Sequence, residues 1–262
     1  MKIKKGYVDI PDGQVHYAWR EGVGCPIICF HQTASSCGSY FRIMNNKELK
    51  NPVYAFDTPG FGGSFDPNGM PDFRQYVGWL SMAIQALGLG PFCAMGHHTG
   101  AGICVELSAS EGDRVKGMIL IGPYPMTSDE REGYRNHFSE PISPTADGEY
   151  LQRTWAYLKE LGADIELDVH HREVLNHIRA YHSRFQTYSA VWDYDFTTPY
   201  KKATCPILIM ASEEDVLFPF LKRSKELQPN ASVATVGGAN FEPDLSHEDI
   251  VQAIVKFLEE YP

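Results

Sequence analysis

The pentapeptide Gly96-His97-His98-Thr99-Gly100 sets two imidazoles between glycines, at the point where an apolar run gives way to a helical pattern. FCAM (Phe92–Met95) is a short apolar stretch of the kind that forms a buried strand, and AGICVEL after the turn reads as a helix. A sharp strand-to-helix turn with this glycine spacing presents its central residue at the sheet edge, requires small neighbours and strains the central backbone. Histidine tolerates positive φ better than most side chains, so His98 fits that centre. A serine there would need a separate base, because a hydroxyl holds its proton at neutral pH. A neutral imidazole, with an ordinary pKa of about 6.5, is itself both base and nucleophile. His98 is therefore the first candidate for chemistry, and His97 beside it is expected to point into packing.

The elements that would position such a turn follow along the chain. GYVDIPDGQVHYAWRE reads as a hairpin around Asp12-Gly13. PIICF (Pro26–Phe30), PVYAF (Pro52–Phe56), MILIG (Met118–Gly122), PILIMA (Pro206–Ala211) and SVATV (Ser232–Val236) are short apolar strand candidates. A helix capped by Asp72 carries Phe73, Tyr76, Val77, Leu80, Ile84 and Leu87 on one face and stops at Gly88. A last helix, with Ser246 as its cap, has Ile250, Val251, Ile254, Phe257 and Leu258 as its buried stripe. Strands alternating with helices imply an α/β fold, a mostly parallel sheet with helices on both faces. The alternation stops between residues 124 and 204, which turn helical and aromatic. The expected organisation is a core of residues 1–123 and 205–262 with an inserted helical cap, or lid, at 124–204. Leu151, Trp155 and Leu158 are expected to form the core of that cap. The surplus of Tyr134, Tyr157, Tyr188 and Trp192 suits a lid over a largely apolar ligand.

Several of these pieces, in one order, resemble the α/β-hydrolase superfamily: PIICFHQ, DTPGFGGS, GHHTG, MILIGPYP, PILIMASEEDVLFP and VGGANFEPDLSHEDIVQAIVKFL. The resemblance implies an α/β-hydrolase fold and assigns roles by position. The nucleophile of the elbow maps to His98. The acid that follows the strand after the cap maps to Asp215 in ASEED. The histidine that follows the last strand maps to Asn240, in Gly237-Gly238-Ala239-Asn240-Phe241, so it is replaced by an amide. The oxyanion-binding N–H groups map to Thr33, with Gln32, and to Thr99, and His31, just before that loop, is expected either to organise it or to line the substrate site. Two of three triad positions are thus changed, which gives a His98–Asp215–Asn240 constellation in which Asn240 would orient His98. His98, His31 and Asp215 show no metal-ligand spacing, and the chain has no H-E-x-x-H, so no metal is expected. Asp57 is expected to hydrogen-bond its own glycine-rich turn. No G-x-G-x-x-G joins a strand to a helix, so no nucleotide or other cofactor is implied.

The bulk properties are those expected of a packed domain with a soluble surface. With 262 residues, 43% hydrophobic and 21% charged, a packed core is expected. A net charge of −10 argues against nucleic acid and anionic membranes as partners. The six cysteines form no CxxC pair and sit in apolar runs, so they read as reduced core thiols of a cytoplasmic protein. Neither a signal peptide nor a transmembrane run is expected. Three functions remain: hydrolysis of a small ester, lactone or related acyl compound with His98 attacking, cofactor-free acid–base chemistry such as a lyase or C–C hydrolase, and ligand binding without catalysis on the same scaffold.

Overall fold

A computed structural model describes residues 2–138 and 142–261. Eight strands form one sheet in the order β1-β2-β4-β3-β5-β6-β7-β8. The hairpin β1 (Lys4–Ile10) and β2 (Gly13–Arg20) is antiparallel, and β2 pairs antiparallel with β4 (Val53–Phe56). From there β3 (Ile27–Phe30), β5 (Phe92–His97), β6 (Val115–Ile121), β7 (Ile207–Ser212) and β8 (Ser232–Val236) all run parallel. The central strands β3, β5 and β7 are buried throughout, because helices cover both faces, which is why they read as unbroken apolar runs rather than as alternation.

On the helical side, α1 (Phe41–Asn45) follows β3 and α2 (Phe73–Ala86) follows β4. Asp72 accepts from Gln75 N while the Gln75 side chain returns to the Asp72 backbone N–H, so α2 starts on a full capping box. α3 (Thr99–Glu111) starts directly after His98. A Cβ on Gly100 would lie 1.9 Å from the Phe30 carbonyl oxygen, so only glycine lets this helix close onto β3.

Between β6 and β7 the chain forms α4 (Ser128–Phe138), α5 (Glu149–Glu160), α6 (Leu167–Arg179), α7 (Tyr181–Asp193) and α8 (Thr197–Lys202). The continuous helical pattern around residues 170–185 breaks at Ala180 into α6 and α7. Leu158 is fully buried as expected, but Leu151 and Trp155 are 42% and 38% exposed. The buried face of α5 runs through Thr154 and Leu158 instead, and Trp155 stacks at the surface on His170, ring centroids 3.9 Å apart.

After β7 come α9 (Leu221–Leu227), α10 (Glu242–Leu245) and α11 (His247–Glu260). Ser246 precedes α11, yet its hydroxyl caps no helical N–H. It donates to Asp249 and accepts from Gly237 N, tying the start of α11 to the loop after β8. No helix among the described residues is long and apolar enough to cross a membrane.

Candidate active site

His98 sits at φ 50°, ψ −110°, the strained centre of the turn between β5 and α3. Its backbone N–H donates to Ile121 O (2.9 Å) and its carbonyl accepts from Ala101 N (2.8 Å), so the residue is fixed on both sides. Asp215 lies beyond β7, two strands from β5 in the sheet. The strand between them, β6, ends at Ile121, and the absence of a side chain on the next residue, Gly122, opens the passage. A Cβ on Gly122, which has φ +60°, would fall 2.4 Å from His98 Cδ2 and 3.0 Å from Asp215 Oδ2. Over that glycine His98 Nε2 meets Asp215 Oδ2 at 2.9 Å. Asp215 also accepts from Leu217 N through Oδ1 (2.7 Å).

Burial of Asp215 works against its ionised form, but the His98 ring, the neighbouring Glu242 and the Leu217 N–H together hold its carboxyl below the usual range. The carboxylate therefore takes the Nε2–H of His98. That edge of the imidazole faces Gly122, which leaves the Nδ1–Cε1 edge on the opposite side of the ring.

His97 is buried as the sequence suggests. It has a partner that sequence reading misses, Glu242, whose Oε2 lies 3.0 Å from His97 Nε2 with both groups fully enclosed. The two atoms are not aligned for a hydrogen bond. Burial, and then the nearby His98 and His31 rings, push His97 well below the ordinary histidine range. Burial, and then the Asp215 charge, push Glu242 well above the ordinary carboxylate range. One donor atom from each of His97, His98, Asp215 and Glu242 lies within 4.8 Å of the other three, a spacing that a cation can bridge. His31 is not one of the four.

His98 marks the junction of two lobes of one pocket. One lobe, with a cavity volume of about 40 Å³, is walled by Tyr124, Tyr134, Trp192, Val191 and Leu217. The other, also about 40 Å³, carries the polar groups of Gln32, Tyr157, His177 and Asn240 together with Leu161 and Phe241. Thr33, Phe138, Tyr188 and Val216 border both. His177 donates from Nδ1 to Glu173 O (3.0 Å), and burial followed by the Arg184 charge pushes it down to about 3, so it is neutral in the pocket wall.

The expected oxyanion groups come together. Thr99 opens α3, so its N–H is among the first-turn donors without an intrahelical acceptor. Its hydroxyl donates to the Thr33 hydroxyl at 3.0 Å, joining the two loops at the pocket floor. Gln32 reaches Asn240 O at 2.9 Å, and Tyr188 donates to Thr33 O at 3.2 Å. Of the two roles open to His31, its geometry is that of a loop organiser and not of a substrate-binding residue. It is buried outside both lobes, donating from Nδ1 to Gln32 O (2.7 Å) and accepting at Nε2 from Thr58 N (3.0 Å). Burial lowers its pKa, and both ring nitrogens are committed to backbone. Asp57 does hold its glycine-rich turn, through Gly63 N (2.8 Å), and it holds Cys37 N as well.

Residues 26–239 match the family model of the alpha/beta hydrolase fold. The chain belongs to the α/β-hydrolase family. Among relatives, 118 residues are 29% identical to (E)-2-((N-methylformamido)methylene)succinate hydrolase of Acinetobacter baylyi, an alignment spanning 45% of this chain and 44% of that protein. A protein of Enterobacter cloacae named provisionally as a carbamate hydrolase is 24% identical over 78% of this chain and 79% of its own length. The crystal structure of E-2-(acetamidomethylene)succinate hydrolase superposes with a TM-score of 0.76 and 22% identity, over 98% of this chain and 100% of that one.

Within the α/β-hydrolase frame the unusual residue is Asn240. Its amide does not orient His98. It donates to Leu161 O (3.0 Å) and accepts from Val216 N (3.2 Å), bracing the end of α5 against the loop that carries Asp215. Asp215, and not Asn240, is the residue in contact with His98, so the expected contact from Asn240 to His98 is absent.

Proposed function

We propose that this α/β-hydrolase cleaves a small acyl compound (an ester, lactone or amide-like carbonyl) with water activated by the His98–Asp215 pair. The observation that carries the reading is the 2.9 Å contact from His98 Nε2 to Asp215 Oδ2, because it leaves Nδ1 as the basic nitrogen. Nδ1 lies next to the ring's own Cβ, so an acyl group bonded there would crowd the side chain and the strained turn. A water molecule on Nδ1 meets no such crowding, which favours general-base attack over an acyl-imidazole. In the proposed step Nδ1 takes a proton from water as its oxygen attacks the carbonyl carbon. The N–H groups of Thr99 and Thr33 hold the developing oxyanion, with Gln32 bordering it. Collapse breaks the bond to the leaving group, which receives the proton back from Nδ1.

In this reading the helices between β6 and β7, residues 124–204, act as the lid that closes both lobes. The hydrolase relatives support the reaction class, and the two acylaminomethylene-succinate hydrolases among them support a substrate with a planar acyl group and a polar end. The aromatic lobe would take the apolar end and the lobe of Gln32, Tyr157 and His177 the polar one.

The test is a panel of esters, lactones and enamides on wild type, His98→Ala and Asp215→Asn, followed by single turnover in H₂¹⁸O with mass spectrometry of the protein. Turnover that disappears in His98→Ala, with no covalent adduct on His98, is the expected result. A trapped acyl-imidazole would replace the base with a nucleophile, and tight binding of a ligand with no turnover in wild type would overturn the enzymatic reading.

A further inference from the structure

The six cysteines are not equivalent. Cys29 and Cys104 are fully buried and Cys37 nearly so, and burial raises all three thiols. Cys205 is partly exposed and is also raised, again by burial. Cys25 differs. It lies just before β3, after the exposed segment 21–24, with its side chain partly open to solvent. Parallel pairing places Ile27 opposite Cys93 on β5, and the same pairing draws Cys93 Sγ to 3.9 Å from Cys25 Sγ, although 68 residues separate them in sequence. Both sulfurs line a surface cleft with Lys50 and Lys116. The cleft is at the N-terminal ends of the parallel strands, the end of β5 opposite to the one that carries His98.

We propose that Cys25 and Cys93 form a peroxide-sensitive dithiol, with Cys25 as the reacting thiol and Cys93 as its resolving partner. The chemistry follows from the arrangement. Cys93 Sγ donates to Cys25 Sγ, so a negative charge on Cys25 is met by a donor, with the Lys116 ammonium nearby, while the neutral Cys25 S–H is placed to donate to Pro26 O (3.8 Å) and Pro91 O (3.7 Å). That donated hydrogen bond brings the Cys25 thiol down to about 7, against the effect of partial burial. The Cys25 thiolate attacks one oxygen of a hydroperoxide. An S–O bond forms, the O–O bond breaks, and the leaving oxygen departs as water after taking a proton. Cys93 sulfur then attacks the Cys25 sulfenic acid. The S–S bond forms, the S–O bond breaks, and the Cys93 proton leaves with the hydroxyl as a second water. Two thiols are oxidised by two electrons, and hydrogen peroxide is reduced to two waters. The sulfurs must close from 3.9 Å to a bond of about 2.05 Å. Asn51 Nδ2 holds the Cys25 carbonyl (2.8 Å) and Cys93 N donates to Pro26 O (2.9 Å), so the closure falls to rotation of the two cysteine side chains.

The experiment uses the full chain with hydrogen peroxide as the probe. Brief iodoacetamide treatment at pH 7 should label Cys25 about tenfold faster than Cys205, because the Cys93 donor lowers the one thiol and burial raises the other. Peroxide should lower the mass of wild type by two hydrogens, and peptide mapping should find the Cys25–Cys93 link. Cys93→Ser should leave a Cys25 sulfenic acid that dimedone captures, and Cys25→Ser should show neither product. Equal labelling of Cys25 and Cys205, or a wild type that gives neither the linked peptide nor a dimedone adduct, would overturn the proposal. A dimedone adduct in wild type without the link would overturn the role of Cys93. Both serine variants lie away from His98, and circular dichroism establishes that each is folded before it is scored.

Discussion

Two neighbouring residues, His97 and His98, each face a carboxylate at nearly the same distance, 3.0 Å to Glu242 and 2.9 Å to Asp215, yet the two pairs behave in opposite ways. His98 opens on the pocket, and Asp215 receives both its ring N–H and the Leu217 N–H, so the carboxylate stays charged. His97 and Glu242 are sealed, are not aligned with one another, and are pushed toward their neutral forms from both sides. Proximity of a histidine to an acid therefore does not define a catalytic pair. The two pairs differ in the donors on the carboxylate and in access to the pocket, and the peptide step from residue 97 to 98 crosses from one environment to the other.

The largest expected effect separates the two pairs directly. On a substrate found by the panel, His98→Ala and Asp215→Asn should each lower kcat by about 10²–10⁴-fold, the range for losing positioned acid–base help. His97→Asn should lower it less than tenfold if it folds, and equal losses would abolish the distinction. Gly122→Ala should disturb both members of the outer pair at once. The new methyl meets His98 and Asp215, at a φ that L residues disfavour, so a stability loss of about 1–3 kcal/mol should accompany a drop in kcat.

Acid should act mainly through the sealed histidines. His97, His31 and His177 have folded pKa values below their unfolded value of about 6.5. As pH falls below that value the unfolded chain gains protons that the folded chain refuses, so stability should decline from about pH 6.5 downward, by on the order of 2–3 kcal/mol or more in sum. Asp215, with its pKa lowered, adds to the same acid loss at the lower end. Thermal unfolding from pH 7.5 to 4.5 reads this out, and a flat Tm over that window would contradict the neutral state of these rings.

Asn240→Ala should cost about 1–2 kcal/mol through its two lost hydrogen bonds while changing kcat little, which sets its bracing role against the orienting role of Asp215. The smallest effect has the opposite sign. Glu242 keeps its proton when folded and loses it near its ordinary range when unfolded, so its contribution is greatest at low pH and declines as pH rises. Glu242→Gln cannot ionise in either state and should raise stability at pH 7–8 by about 1 kcal/mol, with no gain near pH 4.

Local sequence carries most of the fold. The alternation of FCAM, AGICVEL and MILIG, the Asp72 cap and the glycines of GHHTG each have a short-range physical reason and reappear as β5, α3, β6, α2 and the turn at His98. The site is only half legible in the same way. His98 is marked by its flanking glycines, and Asp215 by its place after a strand. Gly122 matters because β6 lies between β5 and β7, a fact of sheet order that no neighbour in sequence encodes. Glu242 and the Cys25–Cys93 contact are hidden for the same reason, since each depends on long-range packing. Asn240 misleads because its position in the chain suggests a catalytic orientation that the short path from Asp215 to His98 makes unnecessary.

The pocket's two unlike lobes have a stereochemical consequence. In the proposed reaction a carbonyl carbon placed at His98 would be approached from one side by the base, would have its oxygen drawn to the N–H groups of Thr33 and Thr99, and would extend one substituent toward Tyr134 and Trp192 and the other toward Gln32 and Tyr157. Four different directions around one atom cannot be superposed on their mirror image. A racemic substrate bearing its stereocentre next to that carbon should therefore be resolved, with one enantiomer consumed first.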